Sequence, residues 1–265
     1  MNSKGYSYCT LYFQLWNIFG EKIGSQDRVA WGEMSTTFAY QGMGDLRSAL
    51  AAANQGVALA QGSGNIRLEI LLRSRRAQIH SDMDEVPLMQ VETNFLLAQS
   101  ERMQQYQIYE WTYQTLCYIY NYRQDWPALL DILEKYEELT HRVHPSWLIS
   151  SLIGMKNLES LAKFHDEFLG WADDPDAKRR GHYWILVGRY RDLTREFDLA
   201  EQAFDRSIQI FGGEGSRLEL GRAYAWRAEL YTHFGRDELA RLDFEKAKQI
   251  FEECGAKLDL GRLGN

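Results

Sequence analysis

Residues 215–225 read GSRLELGRAYA, and residues 255–265 read GAKLDLGRLGN. A glycine, two leucines and a Gly-Arg pair occur in both stretches, and the second stretch lies forty residues after the first. A fixed period of this length is typical of repeat architectures, in which each unit packs on its neighbours. The repeat therefore predicts the general architecture before any single motif is considered.

The unit at residues 221–254 has the pattern of two helices joined by a turn. Tyr224, Ala228 and Tyr231 follow each other at spacings of three and four residues, which is helical periodicity. Gly235 interrupts the pattern, because glycine accepts the positive φ of a helix end. In the second half one helical face carries Ala240, Phe244, Ala247 and Phe251. We expect a helical hairpin.

This hairpin resembles the tetratricopeptide repeat, whose signature is an aromatic residue, Leu-Gly, Tyr, a turn and Ala-x3-Phe. The corresponding residues are Tyr224, Arg227-Ala228, Tyr231 and Ala240-x3-Phe244. Arg227 replaces the leucine, Glu252 replaces a signature proline, and the unit has forty residues rather than roughly 34. The resemblance implies an all-α fold, a right-handed superhelical solenoid of antiparallel helix pairs, in a long-repeat variant.

The ends of these units also resemble a particular kind of array. An Ile-Phe ending is followed by Gly-x-Arg/Lys-Leu-Glu/Asp-Leu within residues 181–265. Similar forty-residue units occur in bacterial multidomain signalling proteins, where they follow an ATPase, kinase or cyclase module and act as sensor or docking regions. The resemblance implies a regulatory, protein-binding role.

The forty-residue frame extends through most of the chain. Small or apolar residues recur where paired helices approach each other, at Ala49, Met89, Leu129, Ala200 and Ala240. The unit around residues 147–169 departs from the frame, with Ala162 at this position. It is predicted to be a shorter repeat, and a local break in the superhelix is the alternative.

Two prolines follow the same frame. Pro87 and Pro127 lie forty residues apart, and proline at a helix start loses no internal hydrogen bond. Asp84 and Asp125 precede them and are the candidate N-caps.

The frame also predicts how the chain is organised at its ends. Cys9 lies forty residues before Ala49, so the chain is expected to begin at the second helix of one repeat and to end near the first helix of another. About six hairpins with half-repeats at both ends are therefore expected, in one domain spanning residues 1–265. Open solenoids need polar end caps, so we expect a section of a longer array.

Composition and motifs argue against several classes of protein. The net charge of −7 disfavours a nucleic-acid partner, because phosphate binding requires a basic field. The N-terminal segment fits neither a signal peptide nor a membrane span, and three widely spaced cysteines fit neither a disulfide scaffold nor a zinc site. We expect a cytoplasmic protein that binds neither nucleic acid nor a membrane.

Motifs for catalysis or metal binding are weak. His141 and His144 lie three residues apart but adjoin Pro145 and have no further ligand nearby in the sequence. The glycine-rich stretches at 60–67 and 211–217 lack the Gly-Lys-Ser/Thr of a phosphate loop. We expect no cofactor, no metal and no enzymatic activity, and the less favoured alternative is a small-ligand or catalytic site in the groove.

The first helix of each pair lines the concave groove in the resembled family, so the frame selects candidate binding residues. They combine aromatic rings, amides and arginines, which are enriched where proteins bind partners. The candidates are Trp31, Phe38, Gln78, Trp111, Gln114, Tyr118, Asn121, Tyr122, Trp147, His182, Arg189, Arg222 and Glu229. Met34 and Ile185 fall in the same frame.

These residues predict a groove that binds a protein or peptide. The lysines and asparagines of the family's peptide-carboxylate clamp are not reproduced. Two alternatives stay open: the aromatic rings are buried inside a tight superhelix, or the chain is a scaffold that self-associates through its repeat ends.

Overall fold

The computed structural model describes residues 22, 24–164 and 170–263. Within these ranges every regular element is a helix, and the helices form two compact units divided between Val143 and His144. The first unit contains α1 (Gln26–Met43), α2 (Leu46–Gly62), α3 (Ile66–Asp82), α4 (Val86–Met103), α5 (Tyr106–Arg123) and α6 (Trp126–Thr140). The second contains α7 (Pro145–Gly154), α8 (Leu158–Ala162), a 3₁₀ turn (Gly170–Asp173), α9 (Ala177–Leu193), α10 (Phe197–Glu214), α11 (Arg217–His233), α12 (Asp237–Cys254) and α13 (Lys257–Leu260).

Helices that follow each other in the chain pack against each other. In the first unit the pairs are α1–α2, α3–α4 and α5–α6, and α3 also contacts α1 and α5. In the second unit the long pairs are α9–α10 and α11–α12, and α9 also contacts α11. The prediction of an all-α helical-repeat fold is confirmed. The prediction of a single domain remains a prediction.

The forty-residue period sets where the helices begin. The first helices of successive pairs start at Gln26, Ile66 and Tyr106, and again at Ala177, Arg217 and Lys257. In the fourth pair, α7 has only ten residues and α8 only five. These lengths agree with the shorter repeat predicted for this part of the chain. The predicted N-terminal half-repeat around Cys9 lies outside the described residues.

Residues in the left-handed backbone conformation follow the helices at intervals of twenty residues, half of the forty-residue period. Positive φ occurs at Gly24, Gly44, Gly64, Asp84, Gln104 and Gln124, and again at Arg195, Gly215, Gly235 and Gly255, so that a turn falls every twenty residues. Only glycine adopts this conformation without a steric cost from Cβ. The turn geometry is therefore kept even where the sequence supplies another residue.

The residues predicted to lie between paired helices are buried at five of six positions. Ala49, Met89, Leu129, Ala200 and Ala240 are each less than 9% exposed. Ala162 is exposed and its neighbour Leu161 is buried instead, so the prediction there is wrong by one residue. The short α8 begins only 32 residues after α6, which moves this pair off the forty-residue frame.

The two acidic N-cap candidates have different outcomes. The Asp125 carboxylate accepts a hydrogen bond from the backbone N–H of Ala128 and caps α6. Asp84 is not the N-cap of α4; it is the left-handed turn residue, with φ of 56°. Glu85 occupies the cap position without a capping hydrogen bond from its side chain.

Candidate partner-binding face

Trp31 and Phe38 are the exposed aromatic residues of α1. Their exposed fractions are 45% and 46%, and they lie two helical turns apart on the same face. The residues around them on α1 are buried, and Met34, one turn from each ring, packs with Val57 and Leu68. Because the core already anchors α1, the two exposed rings are available for contact with another molecule.

Arg75 on α3 lies against this part of α1. Its guanidinium stacks on the Phe38 ring at 3.7 Å, and its Nη1 donates to Gln78 Oε1 at 3.2 Å. Burial lowers the Arg75 pKa from 12.5 to about 10, and the nearby Tyr118 opposes this shift. A pKa near 10 leaves the side chain positively charged at neutral pH.

The charge on Arg75 has no carboxylate partner in the described part of the chain. None of the ion pairs there includes Arg75, and its Nε is buried without a hydrogen-bond acceptor. The nearby Asp82 carboxylate instead accepts hydrogen bonds from the Tyr118 hydroxyl at 2.9 and 3.1 Å. A cation is thus held beside an aromatic ring with a neutral amide as its hydrogen-bond partner.

Trp111 and Tyr118 on α5 continue this surface on the other side of α3. Both are half-buried and pack on the core formed by residues such as Ile70 and Ala77 of α3. We call the surface formed by Trp31, Phe38, Arg75, Trp111 and Tyr118 the aromatic face. It combines four rings from two helices with one cation from the helix between them.

Three further candidates lie beside the aromatic face on α5. Gln114 is half-buried and donates to Glu110 Oε1 at 2.5 Å, while the hydroxyls of Tyr106 and Tyr136 donate to Oε2 of the same carboxylate. Asn121 and Tyr122 are half-buried near the end of the helix, and the Tyr122 ring lies 4.6 Å from the Tyr118 ring. Gln114 therefore helps to stabilise the Glu110 carboxylate by a hydrogen bond.

The predicted exposure of Gln78, Arg189 and Arg222 is wrong, because all three are buried. Gln78 accepts from Gln41 on α1, and Arg189 donates to Ser150 on α7. The frame also failed for Met34 and Ile185, which are 3% and 7% exposed.

Arg222 shows the physical reason for the burial. Its guanidinium donates to both carboxylate oxygens of Asp259 on α13 and to Glu219 on its own helix. Successive first helices touch each other, so these positions lie in the seam between helices rather than on a surface. We call the polar contacts between successive first helices the seam.

The remaining candidates in the second unit are half-buried. His182 lies 3.7 Å from Glu219, and burial lowers its pKa below the usual 6.5. Glu229 has a raised pKa, because the effect of burial exceeds the attraction of Arg189 and His233. The Trp147 ring lies 5.9 Å from that of His144. Each of these three side chains thus lies beside a charged or polar group of the protein.

The described residues offer little for reactive chemistry. No group of three or more His, Cys, Asp or Glu side chains in the described ranges is arranged to hold a metal ion. Burial raises the pKa of the Cys117 thiol to about 12 and that of Cys254 to about 11, which suppresses the reactive thiolate.

Comparisons with known proteins do not assign a family. No protein-family model matches the chain, and no curated protein matches it significantly. None of the described helices combines the length and apolar character needed to cross a membrane. A function therefore has to be inferred from the surface chemistry of the described residues.

Proposed function

We propose that this chain is a non-catalytic module of the tetratricopeptide type that binds a peptide or protein segment on the aromatic face. The observation that carries the proposal is the exposure of Trp31 and Phe38 at 45% and 46% on a helix whose other side is already anchored in the core. In the setting that the forty-residue units resemble, this binding serves regulation within a cytoplasmic signalling protein.

The residue types on the aromatic face support binding to a polypeptide. Aromatic rings offer large contact areas at a low cost in side-chain entropy, and Tyr and Trp also have polar atoms for hydrogen bonds. Tryptophan, tyrosine and arginine are the residues most enriched among those that dominate binding energies. Trp31, Trp111, Tyr118 and Arg75 supply all three types on neighbouring helices.

Selection of peptides from a random display library tests the proposal. The wild-type protein is expected to select a peptide motif, and a Trp31→Ala/Phe38→Ala variant is expected to lose binding of the selected peptides, measured by calorimetry. Leu88→Ala/Val91→Ala is the matched control, because these side chains of α4 are 50% and 58% exposed but lie away from the aromatic face. Equal binding by both variants would place recognition elsewhere.

A separate observation favours self-association as a second candidate function. An open cavity of about 380 Å³ lies on α12 and is lined by Ala240, Arg241, Phe244 and Leu263, among others. The equivalent ring one repeat earlier, Phe204, is 1% exposed, whereas Phe244 is only partly buried. A second copy of the chain that packs on this cavity would bury the Phe244 ring.

Light scattering coupled to size-exclusion chromatography distinguishes this candidate. Self-association through the cavity predicts a mass that rises with protein concentration and that returns to the monomer value in a Phe244→Asp variant. A mass equal to that of the monomer at every concentration would eliminate it.

A further inference from the structure

Arg75 differs from four other arginines that are partly withdrawn from water. On the same helix, Arg73 and Arg76 both pair with the buried Glu92 carboxylate, at 3.1 and 2.6 Å. In the second unit Arg222 pairs with Asp259 at 2.9 Å, and Arg227 pairs with Asp243 at 2.6 Å. Withdrawing a charge from water is costly unless it is paired, and these four arginines follow that rule.

The partners of Arg75 within the described chain are neutral. The Phe38 ring covers one face of its guanidinium, and Gln78 accepts from Nη1. Neither carries a negative charge that would offset the charge of Arg75. The planar guanidinium has donors arranged to bind a carboxylate through two parallel hydrogen bonds. The site therefore has the charge and geometry for an anion that this part of the chain does not supply.

The placement of the rings indicates which carboxylate fits. Trp31 and Phe38 lie on α1 and Trp111 and Tyr118 on α5, so apolar surface extends on both sides of the cation on α3. A chain that ends at its carboxylate could cover only one of these sides. A chain that continues past an acidic side chain can place residues on both.

We propose, on the premise of the proposed function, that the segment bound by the aromatic face carries an internal Asp or Glu whose carboxylate pairs with Arg75. Apolar residues flank this acid and pack on the rings of α1 and α5. Arg75 then selects the partner by charge, and the rings supply the contact area.

Parallel selections with wild-type protein and Arg75→Gln test this inference. The wild type is expected to enrich peptides with an acidic residue at a fixed distance from an apolar one. Arg75→Gln is expected to keep the apolar preference and to lose the acidic one. Acid-free peptides from the wild type, or an unchanged acidic preference in the variant, would overturn the inference and leave the proposed function standing. Failure to enrich any peptide would overturn both.

Synthetic peptides from the selection separate the possible sources of the carboxylate. Replacing the internal acid by its amide should weaken wild-type binding by about tenfold to hundredfold, because a charge-assisted hydrogen bond is lost. The same replacement should have little effect on binding to Arg75→Gln, and Arg75→Lys should recover part of the acidic preference. Amidation of the peptide C-terminus should leave binding unchanged; a large loss there would assign Arg75 to the terminal carboxylate instead.

The melting temperature of the free protein supplies a readout that is independent of any peptide. If Arg75 is held unpaired for a ligand, Arg75→Met should melt at the same temperature as the wild type or higher, since an apolar side chain removes the desolvation cost. Arg76→Met is the control and should melt lower, because it leaves Glu92 with less compensation. A large decrease for Arg75→Met would show that the charge is satisfied within the fold, which contradicts the proposal.

Discussion

Arg189 stacks on the indole of Trp226 at 4.2 Å in the second unit, and this contact corresponds to the stack of Arg75 on Phe38 in the first. When α1 and α3 are aligned with α9 and α11 by their first residues, Phe38 corresponds to Arg189 and Arg75 to Trp226. The cation and the ring have changed places. Both seams contain a guanidinium stacked on an aromatic ring, but the helix that supplies the arginine differs. The interaction is equally attractive whichever of the two helices supplies the cation.

A second pair of equivalent contacts keeps its chemistry. Arg76 bonds to Asn54 and Glu92, and in the same alignment Arg227 bonds to Asp205 and Asp243. Each arginine joins the first helix of a hairpin to the second helices of its own and the preceding hairpin. In each unit these polar contacts therefore tie one hairpin to the preceding hairpin.

Removing one of these cations should strongly destabilise the second unit. In Arg227→Met the Asp243 side chain, which is 3% exposed, would lose its main counter-charge, and the free energy of unfolding in urea should fall by about 3–5 kcal/mol. Adding Asp243→Leu should restore part of the loss. Arg241→Met removes an arginine whose side chain is 55% exposed and should leave stability nearly unchanged. Equal effects at the two sites would contradict this interpretation of the network.

Gly188 is expected to resist substitution because a ring occupies the space where a Cβ would lie. A Cβ there would come within 2.7 Å of the Phe204 ring. Gly188→Ala should lower the free energy of unfolding by about 1–3 kcal/mol through overpacking. Gly212→Ala, where a Cβ would meet no atom within 4 Å, should instead raise it by about 0.5–1 kcal/mol. A similar gain at both positions would refute close packing at Gly188.

The left-handed turns provide a test in two directions. Gln124 has φ of 55° and Gly235 has φ of 68°. Gln124→Gly should stabilise the protein by about 1 kcal/mol by relieving steric strain, and Gly235→Ala should destabilise it by about 1–2 kcal/mol. Gln124→Ala separates the effect of the backbone from that of the lost side chain and should leave stability nearly unchanged. Thermal unfolding measures all three, and a decrease for Gln124→Gly would be the opposite of the expected sign.

Glu229 should make stability depend on pH in a direction set by its raised pKa. Burial is the largest cause of the shift, followed by opposing attractions from Arg189 and His233. The Glu229 carboxyl binds its proton more tightly in the folded state than in the unfolded state. Its contribution to stability is therefore present at low pH and is lost as pH rises from 4.5 through the pKa of the folded state.

Glu229→Gln tests this dependence directly. The free energy of unfolding of the variant, relative to that of the wild type, should increase between pH 4.5 and neutral pH, because only the wild type loses stability as Glu229 ionises. A difference that stays constant across this range, or that changes in the opposite direction, would exclude a raised pKa at Glu229.

The periodic part of the fold could be predicted from the sequence because it depends on spacing alone. A forty-residue repeat of small and aromatic residues fixes where helices begin and which side chains lie between them, as Ala200 and Phe204 show. The prediction failed at Ala162, where the pair of helices is short and the spacing changes.

The candidate site was predicted less completely, since exposure depends on the neighbouring repeat. The helical frame selected Trp31 and Phe38, which are exposed, but also Arg222, which α13 covers. The pattern within the helix of Arg222 does not predict its pairing with Asp259, which lies 37 residues later. Arg75 was missed for the same reason. Its unusual feature is that no carboxylate lies close to it in the described part of the fold, and this can be seen only in the folded structure.

The regular spacing of the turns has a consequence at the level of the gene. Turns at Gly24, Gly44 and Gly64 recur in the same local geometry, so a segment of forty codons encodes one hairpin that begins and ends at equivalent points of the backbone. Recombination that duplicates or removes such a segment preserves the reading frame and every remaining turn. An insertion of any other length leaves a hairpin out of step, as α7 and α8 are.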